Sequence, residues 1–492
     1  MINSPNLADI NRDNSASDYP LKTFAFFLVL SAILSFLYFE IVMPRGAHFP
    51  LAIDAYQYLG SYESNFKNGG RWFNYLTFDL IAALPKRLAY YLDLLTTAVL
   101  WLCFLRPKRT IHHILLFSIL LLVILSSNVM FSVRFWPGGR IMTNLAAILA
   151  VLLIHSNFRL IVKLPLILLA ILAIGGGYQF HHMMLILAFI TAPRSVTYNW
   201  KSFALITGLW SMGFVAAYVF ADLLSTLKFG DGRATVRGYR ALDNSGGTKI
   251  STVFSNFEII SRSMFSSLTK TMLKYPFFNI SPFLLMIGSI IGIRHMSIPK
   301  DALFRVLWWS APILSIIVIL AVANHRFYPR LNLSSLMAII VGLWILSYRS
   351  PLAMKSIILG SVLLLISQTL QNMGNVRLQD SSIDQSLKLI DPIRQDASKN
   401  EKSHLIVLDL GSIASIEALN FKKYNTYFVD ILGVDRLTYC NKTAAWTCAR
   451  FDGFQESLNL QDLCRNEKNY HKQRQGNFLI LYIFDRKICS AS

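Results

Sequence analysis

Two carboxylates lie where the first apolar segment of this chain ends. Glu40 comes near the end of a long apolar run that breaks at Pro44, and Asp54 follows shortly after (FLYFEIVMPRGAHFPLAIDAYQYL, residues 36–59). A carboxylate inside a membrane segment is costly and is by default a functional candidate. We predict Glu40 and Asp54 as acid–base residues and Asp79 as a weaker candidate. The alternative interpretation of each is an acid that reaches solvent, a headgroup or a neighbouring cation.

Arginine and histidine side chains gather in loops on the same predicted side of the membrane. They are Arg71 in NGGRWFN, Arg134 and Arg140 in RFWPGGR, and His325, Arg326 and Arg330 in NHRFYPR. Positive charge is disfavoured in short external loops, so this placement calls for a cause. Cations that face two acids suit an anionic phosphate ligand beside a base. We predict that these six residues bind phosphate, with snorkelling to lipid phosphate as the alternative.

The adjacent histidines His181 and His182 are candidates for zinc binding or for structural core positions. Protein zinc sites combine Cys, His and acidic ligands at characteristic spacings, and this chain has no CxxC pair. We favour the core position and predict no cofactor, with a divalent metal left open.

The composition identifies the surroundings of these residues. Of 492 residues, 54% are hydrophobic and 15% are charged, and the mean hydropathy is +0.46, whereas a soluble protein has about 25% charged residues. The net charge of +20 fits basic residues that meet anionic lipid, and we predict no nucleic-acid partner. About eleven apolar runs qualify as membrane helices. They are 23–43, 88–105, 114–133, 141–155, 161–175, 180–193, 202–224, 276–293, 306–323, 331–348 and 356–370.

The chain divides into a membrane part and a polar C-terminal part. We predict a cytoplasmic tail at 1–22, an α-helical polytopic membrane domain at 23–370 with large external loops at 44–87 and 225–275, and an extracytoplasmic α/β domain at 371–492. Apolar stretches in both loops predict helices that lie at the membrane interface. Short apolar runs at 405–410 and 478–484 predict strands of the C-terminal domain.

Charge and cysteine placement predict the orientation. With the N-terminus in the cytoplasm, an odd number of spans puts the C-terminus outside, and the predicted cytoplasmic loops each carry at least two Lys or Arg. Four cysteines, Cys440, Cys448, Cys464 and Cys489, cluster in the polar C-terminal part. An even cluster in a hydrophilic domain favours two disulfides in an oxidising compartment over a zinc site.

These features resemble the GT-C glycosyltransferases and, within them, the phage-type O-antigen glucosyltransferases of serotype conversion. The resemblance rests on Glu40 at the outer end of helix one, Asp54 in the first external loop, the stretch Gly70, Arg71 and Trp72, an interfacial segment before helix two, and a domain after the last helix. The resemblance in overall architecture extends over most of the chain, and the sequence motifs that carry it are short.

The resemblance implies transfer of glucose or another hexose from undecaprenyl-phosphate-glucose to O-antigen or lipopolysaccharide, on the periplasmic side of a bacterial inner membrane. Glu40 would act as the base, Asp54 would share that role or orient the acceptor, and the six cations would bind the donor phosphate. The chain lacks a tandem DxD-like pair, so we predict no metal, and the base stays open among Glu40, Asp54 and Asp79.

Two other functions compete with this one. An O-antigen polymerase also has basic external loops but usually keeps both termini in the cytoplasm, so the topology discriminates. A flippase or transporter often shows paired repeats and charges at the midplane. The chain has no evident repeat, and its candidate charges lie near one face.

Overall fold

The structure is a computed structural model. It describes residues 20–43, 63, 66–67, 70–127, 129–130, 137–156, 158–191, 200–230, 250–272, 280–295, 302–327, 332–398, 404–409, 428, 436–441, 470–475 and 478–483. These residues form two compact units, one with the described residues up to Met373 and one with those from Gly374 onwards.

The first unit is helical, and the part of its last helix from Gly374 onwards belongs to the second unit. In chain order, the described α-helices are α1 (Leu21–Val42), α2 (Trp72–Leu76), α3 (Phe78–Ala82), α4 (Lys86–Leu105), α5 (Ile111–Ser126), α6 (Pro137–His155), α7 (Leu160–Gly175), α8 (Leu187–Thr191), α9 (Trp200–Phe229), α10 (Ile250–Met272), α11 (Ile280–Arg294), α12 (Ala302–Val322), α13 (Leu333–Ser347) and α14 (Pro351–Ser398). A 3₁₀ helix, Gln179–Ile186, lies between α7 and α8.

Apolar helices make this an α-helical membrane protein. Within the described residues, five helices are long and apolar enough to cross a bilayer: α1, α4, α9, α12 and α14. Six shorter apolar helices are also present, and together the eleven overlap every predicted run. Because a full span needs about 20 apolar residues, the total of eleven spans stays a prediction.

Helix α9 has the exposed apolar surface that is expected of a helix in lipid. Its side chains Leu205, Met212 and Val219 are each more than half exposed. In water this apolar surface would be a liability, whereas in a bilayer it faces hydrocarbon. Small residues on another side of α9, Ala217 and Ala221, are buried and allow close packing against a neighbouring helix.

Helix α4 supplies much of the core of the first unit. Leu94, Ala98 and Trp101 are fully buried along it, and it packs against α1 and α6. The helix therefore fixes the positions of Arg87 in its first turn and of the buried Asp93 further along it.

Two predicted segments differ from the structure. The described residues of the run 180–193 form a 3₁₀ helix followed by the five-residue α8, because the three glycines at 175–177 end α7 and the chain resumes with a tighter helical turn. The run 356–370 belongs to the 48-residue α14, which continues through the change in composition at 371 to Ser398. Polarity marks where a helix leaves lipid, and it does not by itself end the helix.

The second unit contains a four-stranded sheet of β1 (His404–Asp409), β2 (Arg436–Asn441), β3 (Tyr470–Gln475) and β4 (Phe478–Ile483), in the order β2-β1-β4-β3. The three pairings along this order are parallel, parallel and antiparallel. Successive side chains of β1 from Leu405 to Val407 are all buried, as expected for a strand covered on both faces. Strands β1 and β4 lie at the two predicted strand runs; the domain boundary at 371 stays a prediction.

Candidate active site

Glu40 and Arg87 form an ion pair at the end of the first apolar helix. Glu40 lies in the last turn of α1 and Arg87 in the first turn of α4. Nη2 of Arg87 donates a hydrogen bond to Oε1 of Glu40 at 3.2 Å. The side chain of Glu40 keeps 31% of its surface exposed and that of Arg87 keeps 33%. The predicted base is therefore held in place and still accessible.

Aromatic contacts set the register of α1 against α4. The ring of Phe39 lies 5.7 Å from that of Tyr90 and 6.3 Å from that of Tyr91. The hydroxyl of Tyr91 also donates to the backbone oxygen of Ala32, about two helical turns before Phe39, at 3.4 Å. The two helices thus run in opposite directions, so the end of α1 meets the beginning of α4 and brings the two charges together.

Arg87 has two further contacts at the same place. Nη2 donates to the backbone oxygen of Met43 at 2.9 Å, just past the end of α1, where unpaired carbonyls favour a cation. The guanidinium carbon lies 4.9 Å from the centroid of the Phe39 ring, a cation–π contact. Arg87 is consequently fixed to the end of α1 by groups other than the carboxylate.

Of the other two candidate acids, the structure describes Asp79. Asp79 is exposed in the short helix α3, and Asp54 lies outside the described residues. The assignment of the base among the three acids stays a prediction, and Glu40 is an acid for which the structure describes an orienting cation.

Arg71 packs against an aromatic ring. It follows Gly70, whose φ of +62° lies in the left-handed region that favours glycine. The guanidinium carbon of Arg71 lies 5.2 Å from the centroid of the Tyr178 ring. This places Arg71, predicted to bind phosphate, beside the turn that follows α7, with its side chain partly exposed.

Helix α2 packs against the glycines at the end of α7. The backbone N–H groups of Phe73 and Asn74 both donate to the backbone oxygen of Gly176, at 3.0 and 3.3 Å. A Cβ on Gly176 would lie 2.4 Å from Nε1 of Trp72. Glycine is therefore required where the Trp72 indole lies against the backbone.

Arg140 has an internal partner. Its side chain is buried in α6, and its guanidinium makes a bidentate contact with the carboxylate of Asp93 in α4, with 2.8 Å between Nε and Oδ1 and a second bond from Nη2 to Oδ2. The side-chain amide of Asn144 donates to the hydroxyls of Thr96 and Thr97 alongside, at 3.1 and 3.0 Å. The predicted phosphate-binding role of Arg140 stays a prediction, and Asp93 neutralises its charge in this structure.

His181 and His182 are buried in the 3₁₀ helix. Nε2 of His182 lies 2.7 Å from the backbone oxygen of Trp210, and Nε1 of Trp210 donates to the backbone oxygen of His182 at 3.1 Å. The ring of His181 lies 5.5 Å from that of Tyr178. His182 thus joins the 3₁₀ helix to α9. Within the residues that the structure describes, no group of three or more His, Cys, Asp or Glu side chains is arranged to hold a metal ion.

His325 and Arg326 follow a turn at the end of α12. Asn324 has a φ of +51°, which asparagine tolerates better than most residues. The side-chain amide of Asn256 in α10 donates to Oδ1 of Asn324 at 3.2 Å. Helix α10 therefore supports the turn that presents two of the predicted phosphate ligands. Arg330 and Arg134 lie outside the described residues.

Lys228, near the end of α9, connects the first of the two loops predicted to be external to the second. Its Nζ lies 2.6 Å from the Tyr75 hydroxyl and 3.5 Å from Oε1 of Glu63, and the rings of Phe66 and Phe229 lie within 6 Å of it. The bases of the two loops are thereby joined, although the sequence predicts them as separate segments.

The cysteine prediction is mostly beyond the described residues. The backbone of Cys440 lies in β2, and Cys448, Cys464 and Cys489 lie outside the described residues. The two disulfides stay a prediction. Cys103 is a buried free thiol in α4, in agreement with its position in an apolar run.

Sequence reasoning missed two residues of these clusters. The sequence does not single out Arg87, because its partner depends on how α1 packs on α4. Asp93 carries a signal that was available: it is an acid inside the predicted span 88–105, which is the same argument that identified Glu40.

Comparison with known proteins identifies no relative of this chain. The chain matches no protein-family model, no curated protein and no solved structure. The function of the site therefore has to be argued from the chemistry of its own residues.

Proposed function

We propose that this protein is a GT-C-type membrane glycosyltransferase that moves a hexosyl residue, glucose in the first instance, from an undecaprenyl-phosphate carrier to O-antigen or lipopolysaccharide at the periplasmic face of a bacterial inner membrane. The observation that carries the proposal is the Glu40–Arg87 pair. A partly exposed carboxylate and a guanidinium lie 3.2 Å apart where the first apolar helix ends.

The proposed reaction needs these two types of group. The acceptor hydroxyl oxygen forms a bond to the anomeric carbon while the bond from that carbon to the phosphate oxygen breaks. The electron pair of the broken bond leaves with the phosphate, and the hydroxyl proton passes to the carboxylate of Glu40, which acts as general base. The charge that develops on the leaving phosphate is stabilised by cations fixed around it.

The position of Glu40 suits a lipid-linked donor. The isoprenoid of such a donor stays in hydrocarbon while its phosphate lies at the headgroup level. Glu40 is two residues before the end of α1, a rise of about 3 Å along the helix axis. If that end marks the exit from lipid, the carboxylate lies at the depth where the anomeric carbon is held.

The proposed cations around the donor phosphate include residues that the structure describes and residues that lie outside the described part of the chain. Arg71 beside Tyr178 and the pair His325–Arg326 after α12 have described positions. Arg134, Arg140 and Arg330 complete the predicted set. Guanidinium groups suit this task because they bind phosphate oxygens through paired N–H donors and keep their charge.

Transfer is tested with the purified protein in lipid vesicles. The protein is incubated with undecaprenyl-phosphate-glucose and lipopolysaccharide, and the glycan mass and the released undecaprenyl phosphate are measured together. We expect the glycan to gain hexose in a one-to-one ratio with undecaprenyl phosphate.

The matched control for the site is Glu258→Gln, which removes an exposed carboxylate of α10 paired with Arg262. This variant should transfer hexose as wild type does. Intact donor after incubation with folded wild-type protein, across several polyprenyl-phosphate hexoses and acceptors, would contradict the proposed function.

A further inference from the structure

We propose that Arg87 binds the donor phosphate, and that this phosphate replaces the carboxylate of Glu40 on the guanidinium, so that donor binding releases the base. The inference rests on the proposed function and adds a phosphate-binding residue that the sequence-based set omits. Its basis is an accessible carboxylate–guanidinium pair in which the cation is anchored separately from the carboxylate.

The anchoring of Arg87 makes such an exchange feasible. Beyond its 3.2 Å bond to Glu40, the guanidinium donates to the Met43 backbone oxygen at 2.9 Å and lies over the Phe39 ring at 4.9 Å. Neither of these contacts involves the Glu40 carboxylate. When an anion displaces that carboxylate, the guanidinium keeps its position at the end of α1.

The exposure of the pair gives the phosphate a route to it. About a third of each side chain is exposed, in contrast to the pair of Arg140 and Asp93, which is almost completely buried. A guanidinium binds carboxylate and phosphate with the same N–H fork. The Glu40 pair can therefore exchange one anion for another, whereas the buried pair is closed to a ligand.

The chemistry of the step favours phosphate on Arg87 as the reaction proceeds. The donor phosphodiester carries one negative charge, and breakage of its bond to the anomeric carbon leaves a phosphomonoester with a further negative charge. A cation already in place stabilises this added charge without reorganisation. The carboxylate released from Arg87 is at the same time free to accept the acceptor proton.

Binding of undecaprenyl phosphate, which lacks the sugar, isolates this inference from the transfer reaction. Affinity is measured in phosphatidylcholine vesicles for wild type, Arg87→Ala, Arg87→Lys and Glu40→Gln. We expect Arg87→Ala to weaken binding roughly 10- to 100-fold, as for loss of a charge-assisted hydrogen bond. Arg87→Lys should retain part of the affinity because it retains the charge.

Glu40→Gln separates exchange from a structural role of the pair. Under exchange, this variant binds undecaprenyl phosphate more tightly than wild type, because no carboxylate has to be displaced. If Glu40 served only to hold Arg87 in position, Glu40→Gln would weaken binding as Arg87→Ala does, and the inference would be wrong. The control Arg262→Ala removes a carboxylate-paired arginine from α10 and should bind as wild type.

Two further outcomes keep the inference and the proposed function apart. Hexose transfer that depends on Glu40 but shows an unchanged donor KM in Arg87→Ala would overturn the exchange and leave the transferase standing. Binding of undecaprenyl phosphate that depends on Arg87, without any transfer, would support the exchange as a polyprenyl-phosphate site and remove the proposed reaction. Loss of binding when phosphatidylglycerol is added to the vesicles would instead assign Arg87 to bilayer headgroups and overturn the inference.

Discussion

At the scale of single residues, two of the described carboxylate–arginine pairs lie in contrasting environments. Glu40 and Arg87 are about one-third exposed, whereas the side chains of Asp93 and Arg140 are at most 2% exposed. A buried pair is costly to break because the charge that remains is neither paired nor solvated, whereas an exposed pair contributes little to stability. The first pair is therefore suited to reaction and the second to structure.

This contrast gives a stability prediction for Asp93→Asn. The substitution leaves the buried Arg140 guanidinium without a counter-charge and should lower the free energy of unfolding by about 3–5 kcal/mol. Thermal unfolding of the purified protein in detergent measures it, with Glu40→Gln as the partly exposed counterpart that should change stability far less.

The double variant Asp93→Leu with Arg140→Met tests the predicted phosphate-binding role of Arg140. Because an apolar pair of similar volume often replaces a buried ion pair without loss, the double variant should recover most of the stability of wild type. Near-normal donor use in it would remove Arg140 from the phosphate-binding set, whereas a folded protein with a strongly raised donor KM would keep it there.

The residues differ in how far sequence could identify them. Glu40 and Arg71 can be selected as candidate site residues from their type and position alone. An acid near the end of an apolar run and a cation in a loop predicted to be external are each unusual. Their partners, Arg87 and Tyr178, cannot be predicted in this way, because these contacts depend on which helices pack together. Pairing across about 47 residues, as between Asp93 and Arg140, needs the α4–α6 contact to be known.

At the scale of elements, the turn after α7 positions the segment that carries Arg71. Gly176 accepts two backbone hydrogen bonds from the first turn of α2 and leaves no space for a side chain beside Trp72. The substitution Gly176→Ala should displace the indole and the α2 helix. The expected cost is about 1–3 kcal/mol of stability, as for an overpacked site, together with weaker donor use through the neighbouring Arg71.

The matched control is Gly208→Ala in α9, where an added Cβ has nothing within 4 Å. Alanine is favoured over glycine inside a helix by up to about 1 kcal/mol, so this variant should be as stable as wild type or more so. Thermal unfolding and donor titration of both variants check the prediction. Equal behaviour of the two would show that the Gly176 contact does not position α2.

Hydropathy predicted the elements better than their ends. Each of the eleven apolar runs overlaps a described helix, and β1 and β4 lie at the predicted strands. The 3₁₀ helix at 179–186 was not predicted, because apolar content identifies a membrane segment without distinguishing two helical geometries. The extension of α14 to Ser398 was missed for a related reason, since polar residues can continue a helix outside lipid.

At the scale of the whole molecule, the proposed function requires the predicted orientation. A fusion of alkaline phosphatase after Ser492 should be active, because this enzyme needs an oxidising compartment to form its disulfides. A cytoplasmic reporter at the same position should be inactive. Mass spectrometry of the non-reduced protein should find Cys440, Cys448, Cys464 and Cys489 oxidised. An active cytoplasmic reporter would reverse the orientation and contradict the proposed acceptor.

The central claim is that Glu40 removes the proton from the acceptor, and the turnover of Glu40→Gln tests it most directly. The variant keeps the size of the side chain and a hydrogen-bonding group for Arg87 but removes the base. With undecaprenyl-phosphate-glucose and lipopolysaccharide, turnover should fall roughly 10²- to 10⁴-fold, the usual contribution of a general base, while the affinity for the donor is at least that of wild type. A Glu40→Gln protein that transfers hexose at a rate near that of wild type would contradict the account, and Asp54 and Asp79 would become the candidates for the base.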